Sequence, residues 1–275
     1  MNVNLYPIKE FRLPVVAECI NPDVFRGKSI KEIEVLKVWE GNKQKKLSEL
    51  FKVEAEKAEG SQGDPVITIH GDVSRVRRIG VGMKAGEIIV KGNAGMHLGE
   101  EMRGGKITVY GNVLGWVGSM MKGGVIEIHG NTGDYLGAPY RGSTEGMKGG
   151  RIVVYGNVGR EAGAHMRKGI IKIYGSAGQF VGFRMKGGTI YVQKDCEARA
   201  GACMVDGTII VGGRIESVLP TFTIEGLRKK VKVEEGEVVE APFYLFIGDL
   251  TENGRGKLFV AKEPNPHLSR YEKFL

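Results

Sequence analysis

Hydrophobic positions recur along this chain with a long, fixed period. Methionine stands at Met83, Met102, Met121, Met147, Met166, Met185 and Met204, at intervals of 19, 19, 26, 19, 19 and 19 residues. Three residues after each comes a glycine, from Gly86 through Gly207. An Ile-x-Val or Ile-x-Ile pair follows, from Ile88/Val90 through Ile209/Val211. A Gly-Asn closes four of the units, at Asn93, Asn112, Asn131 and Asn157. Such a period marks a repeat architecture. Alternation within the Ile-x-Val pairs is the strand period of two. Each unit is one short strand plus turns, too small to bury its own apolar side, so stacked units must share a core. The pattern predicts an all-β fold, a right-handed parallel β-helix of about seven 19-residue coils. At about 4.8 Å per coil the rod would be roughly 34 Å long, with its core filled by side chains.

Register assigns directions. The Ile and Val columns, the Met column, and Leu98, Val117, Leu136, Ala162, Val181 and Ala200 point inward. The series Gly99, Gly118, Gly137, Gly163, Gly182 and Gly201 turns corners at positive φ. The Asn column turns the chain through left-handed residues and can form a ladder along the rod. Cys196 shares an inward column with Ala94 and Val113.

The flanks lack the period. Residues 1–65 read as an N-terminal capping segment, with a short helix over 29–36 capped by Ser29 and Glu32, and an ambiguous strand or helix over 45–56. The rod occupies 66–221, with 64–82 as a divergent first coil. Residues 222–275 form a hairpin cap, with strands over 243–247 and 257–261 around Asn253-Gly254, and an extended tail from Pro264. Caps are needed because an open strand stack polymerises edge to edge.

Composition narrows the function. Of 43 glycines, 33 fall within 80–213, so the glycine belongs to the repeat rather than to a linker. No stretch approaches 18 apolar residues, and the first ten residues lack a signal-peptide pattern, so no membrane contact and a cytoplasmic location are expected. Three cysteines without a C-x-x-C offer no disulfide, zinc or iron–sulfur framework. A net charge of +8 permits nucleic acid, but no nucleic-acid motif accompanies it; an acidic protein partner fits equally well.

Three surface features stand out. A column after the inward Val carries Lys91, Tyr110, His129, Tyr155, Tyr174 and Gln193. Its rings either stabilise the sheet by stacking or form a protein-contact face. The 26-residue coil carries seven extra residues within 138–146, a loop whose Pro139, Tyr140 and Arg141 are contact candidates. Lys84, Arg103, Lys122, Lys148, Arg167 and Lys186 form a cationic column, either a solvated edge or a strip for anions or an acidic partner. No nucleophile–base pair, paired carboxylates or metal-ligand set emerges, so no catalytic, cofactor-binding or metal residue is assigned to this chain.

The repeat Gly-x-x-x-Gly-x-x-Met-Lys-Gly-Gly-x-Ile-x-Val-x-Gly-Asn resembles the glycine-repeat domain shared by the glutamate synthase large subunit and the C subunit of formylmethanofuran dehydrogenase. The flanks Pro22–Ser29, Val38–Lys43 and Phe246–Leu250 resemble the latter family, over essentially the whole chain. That resemblance implies an archaeal complex that reversibly reduces CO2 and attaches it to methanofuran in methanogenesis. It implies partner subunits of three kinds: a pterin-bound tungsten or molybdenum redox subunit with an iron–sulfur cluster, an amidohydrolase-like subunit with a dinuclear metal site, and ferredoxin-type subunits. This chain is then a structural scaffold, itself non-catalytic. The alternatives are the C subunit of a formyltransferase/hydrolase complex and a free-standing glutamate synthase glycine-repeat subunit.

Overall fold

Parallel strands at one-repeat spacing form the body of the protein. The structure is a computed structural model and describes residues 1–56 and 63–275. The N-terminal part holds β1 (Asn2–Pro7), β2 (Val15–Val16), α1 (Pro22–Phe25), α2 (Ile30–Glu34), β3 (Lys37–Glu40), β4 (Lys43–Lys46) and β5 (Phe51–Glu56). Then come β6 (Val66–His70), β7 (Val76–Arg77), β8 (Glu87–Lys91), β9 (Lys106–Val109) and β10 (Val125–Ile128). The series continues with β11 (Lys148–Val154), β12 (Lys168–Ile173), β13 (Lys186–Val192) and β14 (Asp206–Val211). It ends with β15 (Thr223–Glu234), β16 (Glu237–Gly248) and β17 (Gly256–Ala261).

One 13-stranded sheet has the order β15-β16-β17-β14-β13-β12-β11-β10-β9-β8-β6-β1-β5. From β17 to β1 every neighbouring pair is parallel. Its register matches the sequence columns, with Ile88 opposite Ile107, Ile107 opposite Ile126, and so on to Ile209 opposite Leu258. Two further ladders join the same repeats. One is a line of parallel bridges, Val73–Ala94–Val113–Thr132–Val158–Ala177–Cys196–Ile215. The other runs through the corner glycines, with Gly118 N–H donating to Leu98 O at 2.9 Å and Gly182 N–H to Ala162 O at 2.8 Å. Every residue of the Ile, Val and Met columns is buried, as is the series Leu98 to Ala200. Gly99 has φ +64°, and a Cβ there would meet Ile126 Cδ1 at 2.6 Å, so both backbone and packing demand glycine.

The Asn column corrects one expectation. These asparagines are not left-handed. Instead each Oδ1 accepts the next column member's backbone N–H, as Asn93 does from Asn112 at 2.8 Å and Asn112 from Asn131 at 2.8 Å. The left-handed residues are bulky ones: Arg78, His97, Trp116, Tyr135, Glu161, Phe180 and Arg199 in one column, and Glu101, Met120, His165, Arg184 and Cys203 in another. Their φ values turn the N–H toward the following repeat. Trp116 N–H donates to Asp134 O at 2.9 Å and His165 N–H to Phe183 O at 2.7 Å. Inter-coil hydrogen bonds thus hold a conformation that costs about 1–3 kcal/mol per residue.

At the N-terminal end, α2 has the Ser29/Glu32 capping box read from the sequence. The ambiguous 45–56 segment resolves into the end of β4, a single 3₁₀ turn (Leu47–Glu49) and β5. Phe25, Ile33, Leu47, Leu50 and Phe51 are fully buried and continuous with the main core. The 1–65 segment includes residues 57–62, which lie outside the described residues.

At the C-terminal end β16 and β17 pair antiparallel, as the hairpin reading expects. A second, longer hairpin, β15–β16, lies outside the sequence expectations; it has three register shifts that blur its alternation. The segment after Pro264 is not an extended tail. Residues Pro266–Phe274 form 3₁₀ turns, with Leu268 fully buried and Tyr271 edge-on to Phe246 at 5.2 Å. Buried Asn265 explains the docking. Its Oδ1 accepts from Ile215 N–H at 2.8 Å, and its Nδ2 donates to Gly213 O and Ala261 O, so it satisfies the last rung of the bridge ladder.

Candidate interaction surfaces

The ring column stacks as a continuous ladder. Each ring follows an inward Val or Ile, so alternation turns it outward, and the interstrand spacing sets the ring separation. Tyr110 and His129 are 4.8 Å apart, His129 and Tyr155 4.9 Å, and Tyr155 and Tyr174 5.3 Å, all within 19° of parallel. Tyr110 is 58% exposed and Tyr155 46%. Glu127 braces the ladder, accepting from the Tyr155 hydroxyl at 3.1 Å and pairing with Lys106 at 3.3 Å. Burial raises the Glu127 pKa, but Tyr155 and Lys106 outweigh it and hold the carboxyl below its ordinary range.

At Tyr174 the ladder runs under the β15–β16 hairpin. This hairpin lies across the outer face of the later coils, where Val231, Val233 and Phe243 bury Tyr191 and Ile210 and pack beside Tyr174. Its tip is held by Lys172, whose side chain is 1% exposed and bonds both Glu234 and Glu237. Arg151 pairs with Glu234 at 2.9 Å.

The inserted loop meets a different set of rings. His97, Trp116 and Tyr135 stack at 5.4 and 4.5 Å. Tyr140 packs edge-on to His97 at 5.2 Å, and the Arg141 guanidinium lies 6.0 Å from the Trp116 ring. Pro139, Tyr140 and Arg141 therefore fold back on the repeats and line a cavity of about 180 Å³ with Trp116, Tyr135, Glu161 and His165. Loop and ladder involve separate sets of rings. Sequence reasoning missed the buried charge beside this stack. Glu100 is 5% exposed, with His97 Nδ1 at 3.2 Å and Arg78 at 3.6 Å. The available signal was a lone Glu in a column otherwise without charge, holding Val81, Ser119, Ala138, Ala164, Phe183 and Ala202.

The cationic column is partly paired. Lys122 meets Glu101 at 2.8 Å, while Glu145 of the inserted loop sits between Lys148 and Arg167, the latter at 3.7 Å.

The Cys19 and Cys196 thiols are each pushed up to about 12, chiefly by burial, which removes the thiolate needed for nucleophilic chemistry. Among the described residues no group of three His, Cys, Asp or Glu side chains could hold a metal ion. No helix among them is long and apolar enough to cross a membrane.

No family model matches the chain. It is 50% identical over 262 residues to the C subunit of the tungsten-containing formylmethanofuran dehydrogenase 2 of Methanococcus maripaludis, covering 93% of this chain and 95% of that one. It is 46% identical over 99 residues to the C subunit of the molybdenum-containing formylmethanofuran dehydrogenase 1 of Methanothermobacter marburgensis. That match takes in 36% of this chain and spans only about a quarter (24%) of the relative. Among solved structures, a chain of the formyltransferase/hydrolase complex from Methylorubrum extorquens, crystallised with methylofuran, superposes with a TM-score of 0.82 at 28% identity. The superposition covers 94% of this chain and 99% of that one.

Proposed function

The chain belongs to the family of formylmethanofuran dehydrogenase C subunits, and we propose on that premise that it is a structural subunit of the complex that reduces CO2 and attaches it to methanofuran as a formyl group. The observation that carries this reading is the 50% identity over 262 residues, which includes both flanks as well as the repeat. A glycine repeat alone would leave glutamate synthase open. The formyltransferase/hydrolase alternative is supported by the superposition at 28% identity; the higher identity to a dehydrogenase subunit weighs against it.

In this reading residues 66–221 form a right-handed parallel β-helix, residues 1–65 cap one end and 222–275 the other. Three hydrogen-bond ladders at one-repeat spacing support it. The redox and hydrolytic chemistry belongs to partner subunits carrying a tungsten or molybdenum pterin, iron–sulfur clusters and a dinuclear metal site. This chain supplies rigidity and contact surface. Tyr110, His129, Tyr155 and Tyr174 form one contact face, and Pro139, Tyr140 and Arg141 a second. A soluble complex in the cytoplasm fits all of this.

The test is affinity capture of the tagged chain from its own cells, with mass spectrometry and metal analysis of the captured material. The expected result is the other dehydrogenase subunits together with tungsten or molybdenum. Recovery of a flavin-containing synthase, or of the chain alone, would overturn the reading.

The ladder gives a narrower prediction. Tyr174 supports the hairpin, so only the exposed rungs are changed, in Tyr110→Ser/Tyr155→Ser. Exposed side chains of this kind cost little folding stability, and the isolated chain should melt within a few degrees of wild type. Capture of the catalytic subunits should fall markedly. Unchanged capture would remove the ladder from the interface.

A further inference from the structure

The cationic column shows how one of its own rungs is filled. Backbone bonds set its members one coil apart, with Lys122 N–H on Met102 O and Lys186 N–H on Met166 O, both at 2.7 Å. At the middle of the column the Glu145 carboxylate bridges two adjacent coils, between Lys148 and Arg167. Toward the C-terminal end Asp206 lies opposite Lys186 in the strand register, but its Oδ1 accepts from Gly207 N–H at 2.7 Å and it makes no ion pair with the lysine. Arg184, Lys186 and Arg199 are exposed, and among the described residues none of them has a carboxylate within ion-pair distance. His165 reports the resulting field. Burial, then Arg184, Lys186 and Arg167, hold its pKa below the ordinary value, and its Nδ1 is buried without a partner. Exposed cations without a carboxylate partner leave a positive field that an anion would neutralise.

We propose that Arg167, Arg184, Lys186 and Arg199 form the docking surface for a carboxylate-rich segment of a protein partner, seated between coils as Glu145 is. Ring geometry favours a protein over a nucleic acid. The two aromatic side chains in the patch already carry guanidinium groups, Arg184 at 5.2 Å from the Phe183 ring and Arg199 at 5.1 Å from Phe180. A single-stranded nucleic acid binds such surfaces by stacking bases on rings, and these faces are occupied. The partner's being a fellow subunit rests on the reading of the preceding subsection; the chemistry of the surface does not.

The test uses the full chain and a labelled peptide of alternating Glu and Val, with fluorescence anisotropy as the readout. Binding should weaken with added salt. Arg184→Glu/Lys186→Glu should weaken it at least about tenfold. Lys229→Glu/Lys230→Glu, the same charge change on the exposed edge strand β15, should change it less than about twofold. Thermal melts of both variants establish that they fold. Three outcomes overturn the proposal: no binding, equal loss in both variants, or tighter binding of a single-stranded oligonucleotide that the Arg184/Lys186 change abolishes. Affinity capture that fails sinks the subunit reading and leaves the peptide result standing. Capture that succeeds beside a negative peptide result sinks this inference alone.

Discussion

Met121→Asp should unfold the central repeats. Met121 is fully buried in a column where every member is buried, and its methyl group reaches the backbone of Gly150 in the next coil. A Cβ at Gly150 would come within 2.7 Å of Met121 Cε, so nothing is left for water or a counter-ion to enter. An unpaired carboxylate there either stays charged without solvation or takes up a proton, and both cost several kcal/mol. That is a large part of a typical domain's total stability of about 5–15 kcal/mol. Met121→Leu is the control, because a volume-conserving apolar exchange costs less than about 1.5 kcal/mol. Circular dichroism melts should show Leu near wild type and Asp at least about 10 °C lower, or insoluble. Repeat stacks need not unfold in one step, so hydrogen exchange is the second measurement. Loss of protection should centre on β9 to β11 and spread outward. An Asp variant melting with wild type would mean that the Met column does not form the core.

The same column shows why so much of the parallel repeat sheet was legible. A repeat presents each physical requirement seven times, so a residue that must be apolar or must be glycine stands out against its equivalents. Gly99 and its successors could be placed at positive φ for that reason. His97, Trp116 and Tyr135 could not. Their left-handed backbone runs against local preference, and it is imposed by N–H groups aimed at a neighbouring coil that local sequence does not announce. The Asn column shows the converse. Asparagine tolerates the left-handed region, yet the column uses its side-chain oxygens to continue a ladder while other residues make the turn.

The flanks were harder because nothing in them repeats. The β15–β16 hairpin carries Arg228, Lys229, Lys230 and Lys232 beside Val231 and Val233, and its register shifts break strict alternation. Pro264 and Pro266 suggest an extended end, whereas the docking depends on Asn265 completing a ladder begun some 190 residues earlier at Val73. For the contact surfaces, spacing alone brought Tyr110, His129, Tyr155 and Tyr174 together. It gave no sign that Tyr140 and Arg141 would close over His97 and Trp116, since loop packing depends on side-chain shape rather than on period. Lys172 was the deepest omission. In the repeat it occupies an outward position, and outward usually means solvated; only the unforeseen hairpin makes it buried.

Glu234→Gln/Glu237→Gln should release that hairpin from the sheet. Lys172 lies next to the end of β12, in the column that continues as Tyr191 and Ile210, both covered by the hairpin. Its ammonium has the Glu234 and Glu237 carboxylates as partners, and Arg151 shares Glu234. Neutralising both carboxylates strands a buried cation, a change that typically costs about 3–5 kcal/mol. Lys172→Met should cost less, because the carboxylates it leaves are 17% and 33% exposed and can be solvated where the 1%-exposed ammonium cannot, and Glu234 keeps Arg151. This asymmetry separates an electrostatic latch from simple packing, which would suffer more from the lysine change. Acid should act like the double substitution. Burial lowers the Lys172 pKa, but its two carboxylates outweigh this and hold it above its ordinary value, while Lys172 holds Glu234 below its own. Glu234 therefore stabilises the fold fully above the ordinary carboxylate pKa, and that contribution is lost as pH falls through its depressed folded value. Lys172 contributes fully below the ordinary lysine pKa, and its share is lost as pH rises through the raised folded value. Hairpin protection should be flat across neutral pH and fall in acid, with a smaller acid limb in Lys172→Met. Hydrogen exchange of the β15 and β16 amides reads all three proteins. Equal protection in the double-Gln variant and wild type would show that the hairpin is held by Val231, Val233 and Phe243 alone.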